Sequence, residues 1–186
     1  MLPDGPPPEI VLYASEAVRL AGDYALVADT TAASGIRLHN PNRNAAKVYG
    51  AAAAPVSYAE FTFHAEAGHP YQVWFRGKAE NNSWANDSMF VQFSGVPTTR
   101  IGSTNAMTVT LEDGVNAGLS GWGWQDDGFG VGVMGVPVVF ESTGPQVIRL
   151  QPREDGLSID QIVISPQQFL GTAPGAVRDD ATVVAQ

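Results

Sequence analysis

The stretch Gln146–Ile164, QVIRLQPREDGLSIDQIVI, decides the fold. Gln146-Val147-Ile148-Arg149-Leu150 alternates polar with apolar residues. So does Leu157-Ser158-Ile159-Asp160-Gln161-Ile162-Val163-Ile164, after the Asp155-Gly156 pair. A period of two with β-branched side chains describes half-buried antiparallel strands, and Asp-Gly between them supplies a turn. Working outward, the same reading predicts strands at residues 59–65, 71–76, 89–93, 107–111 and 136–140. Further turns fall at Asp113-Gly114, Asp127-Gly128 and Thr143-Gly144-Pro145. Helical signals are confined to a turn at Pro166 to Leu170, because Pro55 closes the short run Ala51 to Ala54. Many short strands with glycine-rich turns and no crossover helices predict an all-β antiparallel sandwich or jelly roll.

The sandwich is expected over residues 9–170. Residues 1–8, with the Pro-rich PDGPPP run, read as a linker, and residues 171–186 as a C-terminal tail or second linker. A module flanked by linkers belongs to a larger protein, and a monomer is expected. The 186 residues carry 44% hydrophobic and 16% charged side chains, which is the composition of a folded domain and not of a disordered chain. The net charge of −9 repels phosphate backbones and anionic lipid, so nucleic acid and membranes are poor partners. Without cysteine there are no disulfides and no thiolate metal sites. Met1-Leu2-Pro3-Asp4 lacks the basic start and apolar run of a signal peptide, so an exported protein would have its leader outside this sequence.

Three places could carry function. The first is the loop RGKAENNSWANDS, residues 76–88, where Asn82, Trp84, Asn86 and Asp87 surround one indole. A sugar ring offers an apolar face for stacking and a rim of hydroxyls for amides and carboxylates. The alternative is that the polar residues shape the loop and Trp84 anchors it. The loop also holds two Asn-x-Ser sequons, at Asn81 and Asn86. The second is GWGWQDDGFG, residues 121–130. Trp122 and Trp124 are two apart, so in an extended chain they face one side, either as a stacking platform or as a plug whose glycines admit close backbone approach. Asp126 and Asp127 follow. The third is a pair of distant acids, Glu16 near the first strand and Asp160 in the last. If those strands are neighbours the two could clamp Ca²⁺.

Four of these stretches resemble calcium-binding, galactose-binding-like β-sandwich modules, close to carbohydrate-binding module families 6 and 35. Tyr13 to Ala17 resembles their opening acidic strand, and Thr31 to Ile36 the loop after it. Tyr71–Gly77 with Asp87–Gly95 resembles their central strand pair, and Ser158–Ile164 the closing strand. The first motif lacks an upstream acid, and Gln161 stands where an aromatic is usual. The resemblance implies a structural Ca²⁺ held by Glu16 and Asp160. It also implies a glycan site on the loops that takes in Trp84, Asn86, Asp87, Trp122 and Trp124, with Arg76 as a further hydrogen-bonding candidate. The combination of motifs is similar to domains appended to large exported bacterial proteins. The expected function is therefore a secreted or cell-surface, non-catalytic module that holds its parent on polysaccharide. A structural spacer and a jelly-roll lyase or hydrolase are the alternatives. Arg37 beside His39, and Asp126 with Asp127, are the first suspects for catalysis.

Overall fold

The computed structural model describes residues 5–186, so the part of the expected linker at residues 1–4 lies outside the described residues. Two antiparallel sheets pack face to face. One contains Ile10–Tyr13 (β1), Ala25–Ala28 (β3), Ile36–His39 (β4), Pro70–Ala79 (β6), Gly123–Gln125 (β9), Val138–Val139 (β10) and Leu157–Ser165 (β12). The other runs in the order Arg19–Ala21 (β2), Tyr58–Ala65 (β5), Gly144–Pro152 (β11), Ser88–Phe93 (β7) and Met107–Thr110 (β8). Among the described residues only short 3-10 turns interrupt the strands. The predicted sandwich is the observed one; each strand predicted from residue 59 onward is present, that at 136–140 only as Val138–Val139, whereas the first strand region expected at Tyr13–Ala17 is a 3-10 turn over Ala14–Glu16. The strands β1 to β4 and β9 are the additions, being short and less regular in pattern than the rest.

The core follows from alternation. Phe61, Phe63, Ile148, Leu150, Val91 and Phe93 point inward from one sheet, against Tyr71, Val73, Phe75, Ile162 and Ile164 from the other. Phe140 sits at one end of this layer with Phe63, Tyr71 and Phe93 arranged edge-to-face around it at 5.4–5.8 Å.

β12 is the keystone of the larger sheet. One edge pairs along its length with β6. The other edge is shared: Ser158 and Ile159 pair with β4, and Gln161 to Ile164 pair with β1. Asp160 falls at the handover, where the register against β6 shifts between Ile159 and Gln161. A bulge of this kind re-aims one side chain, and here it turns the Asp160 carboxylate toward Arg76.

The outer face of the larger sheet is not left to solvent. Residues 171–186, expected to be a tail or linker, form no regular element but lie packed across it. Ala173 and Val184 pack with Phe169 and Val11 on a second small core of Trp74, Trp124 and Val163. The indole N–H of Trp124 donates to Thr182 O (3.2 Å), and Gln161 exchanges hydrogen bonds with the Val184 backbone (2.6 and 3.0 Å). A Cβ on Gly123 would fall 1.9 Å from Val177 O, so only glycine lets the segment reach the sheet. The C-terminal segment thus covers the outer face of the larger sheet.

Deleting residues 171–186 is expected to cost at least about 3 kcal/mol in urea unfolding, from exposure of Trp74, Trp124 and Val163. Gly123→Ala should reproduce most of that loss in the full-length chain, with a red-shifted tryptophan emission.

Candidate functional site

The predicted site residues separate into three groups. The first lies under the C-terminal segment. Trp122 and Trp124 do face the same side, as their spacing requires, but they are 6% and 0% exposed. Trp122 donates through its indole N–H to Thr31 Oγ1 (2.9 Å), and its ring is covered by the Arg76 guanidinium and by Lys78 Nζ, 5.1 and 4.5 Å from the centroid. Arg76 is itself buried and donates to Asp160 Oδ2 and to Asp180 O (3.0 Å). These three residues are walls and ties in a closed layer, so the plug arrangement is the one the fold adopts.

The second group holds loops in shape. Asp126 is buried, and its two carboxylate oxygens accept from Gln72 Nε2 (2.6 Å), Gly128 N (2.8 Å) and Gly135 N (2.8 Å). Every one of those contacts fixes the 126–136 loop. Asn86 donates to Glu80 O (3.0 Å) and packs against Gly156, where a Cβ would lie 2.7 Å from the amide carbon. Asn82 accepts from Gly121 N (3.2 Å) and, like Asn81, takes a positive φ, which asparagine tolerates better than most residues. It borders a different cavity, near Arg37, Lys78 and Ser158.

The third group is a surface cleft beside the smaller sheet, about 340 Å³, within the size range of small-ligand sites. Trp84 rises at its rim, 68% exposed. A tight 3-10 turn carries it: Ser83 caps the turn by accepting from Ala85 N (3.3 Å), and Asn86 pins its far end. Phe129, also exposed, faces the cleft from the glycine-rich loop. The rest of the lining comes from Thr108 and Thr110 on the outer face of β8, with Lys47, Asp87, Glu112, Asp127 and Arg153. The sequence pointed to Trp84 and Asp87. It did not pick out Lys47, Thr108, Thr110, Glu112, Phe129 or Arg153. Phe129 carried the one usable signal, an aromatic ring set between glycines.

The floor of the cleft is polar but mostly neutralised. Lys47 Nζ pairs with Glu154 Oε1 (2.7 Å), whose other oxygen accepts from Ser88 Oγ (2.5 Å), and Arg153 also donates to Ser88 Oγ (2.8 Å). Burial, and then the neighbouring Glu154 carboxylate, push the Asp87 carboxyl up to about 8, so it holds a proton at neutral pH. Burial and the charge of Asp126 raise Asp127 to about 6. One buried oxygen of Asp127, Oδ1, has no hydrogen-bond partner.

The expected calcium clamp is not assembled. Glu16 accepts from Tyr13 N (2.7 Å) and Gln186 Nε2 (2.6 Å), which makes it a local cap. Asp160 Oδ2 already has a cation, the Arg76 guanidinium, and a second donor, Ala33 N (2.6 Å). Among the described residues no three His, Cys, Asp or Glu side chains converge as metal ligands. As placed, Glu16 and Asp160 each hold partners within the protein, while Asp160 Oδ1 is buried without a hydrogen-bond partner. Of the suspects for catalysis, Arg37 and His39 meet the Ser158 hydroxyl at 2.5 and 3.0 Å. That hydroxyl is buried and is tied to both side chains, joining β4 to β12.

No protein-family model matches the chain, and no curated protein matches its sequence. Solved structures do match its fold. A GH26-CBM35 β-(1,4)-mannanase from Podospora anserina superposes with a TM-score of 0.55 at 11% identity, over 86% of this chain and 28% of that one. The C-terminal CBM6 of LamC, a laminarinase from Zobellia galactanivorans, gives 0.50 at 13% identity, over 85% of this chain and 99% of that one. A family 35 carbohydrate-binding module from Clostridium thermocellum gives 0.50 at 16%, over 85% and 98%. The chain thus spans about a quarter of the mannanase and nearly all of each separate module. Its fold is the β-sandwich of carbohydrate-binding modules of families 6 and 35.

Two measurements follow. Chelation should leave the thermal midpoint unchanged, whereas Arg76→Ala should cost about 3–5 kcal/mol by stranding Asp160 without a partner. Stability should also fall as pH rises, because groups with raised folded-state pKa bind protons that the unfolded chain has already lost. Asp160, raised to about 6 by burial, and Asp127 contribute up to about pH 6, and Asp87 alone continues to about 8. Asp87→Asn should abolish a fall of about 2 kcal/mol between pH 6.5 and 8 in urea titrations.

Proposed function

We propose that the chain is a non-catalytic carbohydrate-binding module whose glycan site is the Trp84–Phe129 cleft. One observation carries this reading. Of the four tryptophans, Trp74, Trp122 and Trp124 are buried and hydrogen-bonded within the fold, while Trp84 stands in solvent at the rim of a polar cleft. A large exposed indole has no folding benefit where it stands, but it offers a flat apolar surface to the C–H face of a sugar.

The hydroxyls of Thr108 and Thr110, the Arg153 guanidinium and the Glu112 carboxylate in the lining supply both donors and acceptors for sugar hydroxyls. Lys47 is tied to Glu154, and Arg153 shares the lining with the Glu112 carboxylate, so the cleft has no unopposed cationic cluster to select a uronate or sulfate. The ligand it suits is a neutral polysaccharide. The solved structures that share the fold are carbohydrate-binding modules or enzymes that contain one, which supports the same class. The setting we infer is an exported, multidomain protein in which a monomeric module acts by raising the local concentration of its parent on polysaccharide.

Screening neutral plant and microbial polysaccharides by affinity electrophoresis tests this. Trp84→Ala should weaken binding to the retained polysaccharide at least tenfold while the unfolding midpoint stays within about 1 °C, since the ring is exposed. Absence of retention on every neutral polysaccharide would overturn the reading in favour of a structural spacer.

A further inference from the structure

Among the described residues three aromatic rings are exposed: Trp84, Phe129 and Tyr49. The first two line the cleft. Tyr49 is the barest of the three, at 89%. It lies in a segment, residues 40–57, that forms no regular element, yet the backbone on both sides of it is held. Before it, Ala45 N donates to Asp155 Oδ2 (2.9 Å) and Val48 N to Arg153 O (2.8 Å). After it, Ala51 is buried, and Ala52 exchanges two hydrogen bonds with the Gln151 amide (both 3.0 Å). Residues 45–52 are thus fastened to the end of β11 while one large ring is left in solvent.

The neighbours of Tyr49 give the side on which its ring emerges. Ala46 and Val48 face a small hollow of about 90 Å³ beside Pro152 and Asp155, whereas Lys47 between them lines the Trp84 cleft. Alternation of this kind carries Tyr49 to the Lys47 side, about 7 Å further along the chain. The strand order sets the scale across the sheet. β7 lies between β11 and β8, so the strand that holds the Tyr49 segment runs about 10 Å from the strand that presents Thr108 and Thr110. A single exposed ring is ordinary on a protein surface. A held backbone that sets the third ring beside a cleft lined by the other two is the arrangement of a longer binding surface.

Resting on the glycan reading above, we propose that Tyr49 is a third stacking contact, so that the site takes an internal run of several sugar units of a linear neutral chain and not a single terminal sugar. One unit sits in the cleft against Trp84, and the chain leaves past Lys47 to lie on the Tyr49 ring. Because the backbone is already fixed, stacking orders only the two side-chain torsions of the tyrosine.

The test is a length series. Oligosaccharides of two, three, four and six units, prepared from the polysaccharide that the full chain retains, are titrated by calorimetry. Affinity should go on rising beyond the disaccharide. Tyr49→Ala should weaken hexasaccharide binding at least about fivefold, leave disaccharide binding unchanged, and leave the thermal midpoint unchanged because the ring is exposed. Tyr49→Phe should keep the hexasaccharide affinity, since stacking uses the ring face, and Trp84→Ala should weaken every length. Affinity that stops rising at the disaccharide, or hexasaccharide binding that Tyr49→Ala does not change, would overturn the inference while the glycan reading stands. Equal losses on disaccharide and hexasaccharide in Tyr49→Ala would also overturn it. Retention of the unaltered chain on no polysaccharide would overturn both readings.

Discussion

The ion pair between Arg76 and Asp160 joins, through polar contacts, three parts of the chain that meet on the larger sheet. Asp160 occupies the bulge where β12 passes from β4 to β1, and its carboxylate also takes the Ala33 N–H from the loop before β4. Arg76, from the neighbouring strand, supplies the charge that makes this buried carboxylate tolerable and passes a second hydrogen bond to Asp180 in the C-terminal segment. A buried charge without a partner costs several kcal/mol, whereas a paired one can sit near neutrality and fix geometry. The pair thus ties together the central strands, the β3–β4 connection and the C-terminal segment. A resemblance to calcium-binding sandwiches made a metal the expected occupant. The protein instead places a covalently attached cation there.

That choice has consequences for the larger sheet. With Arg76 committed inward, Trp122 stacks over it, Trp124 packs beside it, and the segment through residue 184 closes the layer above. Gly123 lies almost in contact with Val177, so the aromatic pair serves as a seat for the chain's own end and not as an open surface. The cleft proposed for the ligand lies beside the smaller sheet. There the 3-10 turn at Trp84 and the loop fixed by Asp126 bring an indole and a phenyl ring to the lining of one polar cleft.

The sheet core was legible in the sequence because alternation of two residues maps directly onto faces: Phe61 with Phe63, Ile148 with Leu150, and Ile162 with Ile164 all fell inward as read. Shorter strands such as Arg19–Ala21 and Gly123–Gln125 carry too few residues to show a period, and they exist through their partners. Trp84 and Asp87 could be chosen as site residues because polar residues cluster around one indole. Trp122 and Trp124 could not be assigned, because a platform and a plug share the same spacing. What separates them is a contact with residues 173–184, about fifty to sixty positions away. For the same reason Lys47, Thr108 and Arg153 were invisible: each is unremarkable in its own segment, and only the folding of three loops toward β8 makes them neighbours.

The central claim is that the one solvent-facing tryptophan, and none of the three sealed ones, meets the ligand. The most direct measurement is a ¹H–¹⁵N spectrum of the four indole N–H groups during titration with the retained polysaccharide or its oligomers. The account predicts that the Trp84 indole signal moves with saturation while those of Trp74, Trp122 and Trp124, hydrogen-bonded to Phe169, Thr31 and Thr182, stay in place and remain slow to exchange with deuterium. Movement of the Trp122 and Trp124 signals with Trp84 unaffected would contradict it, and would place the ligand on the face beneath the C-terminal segment.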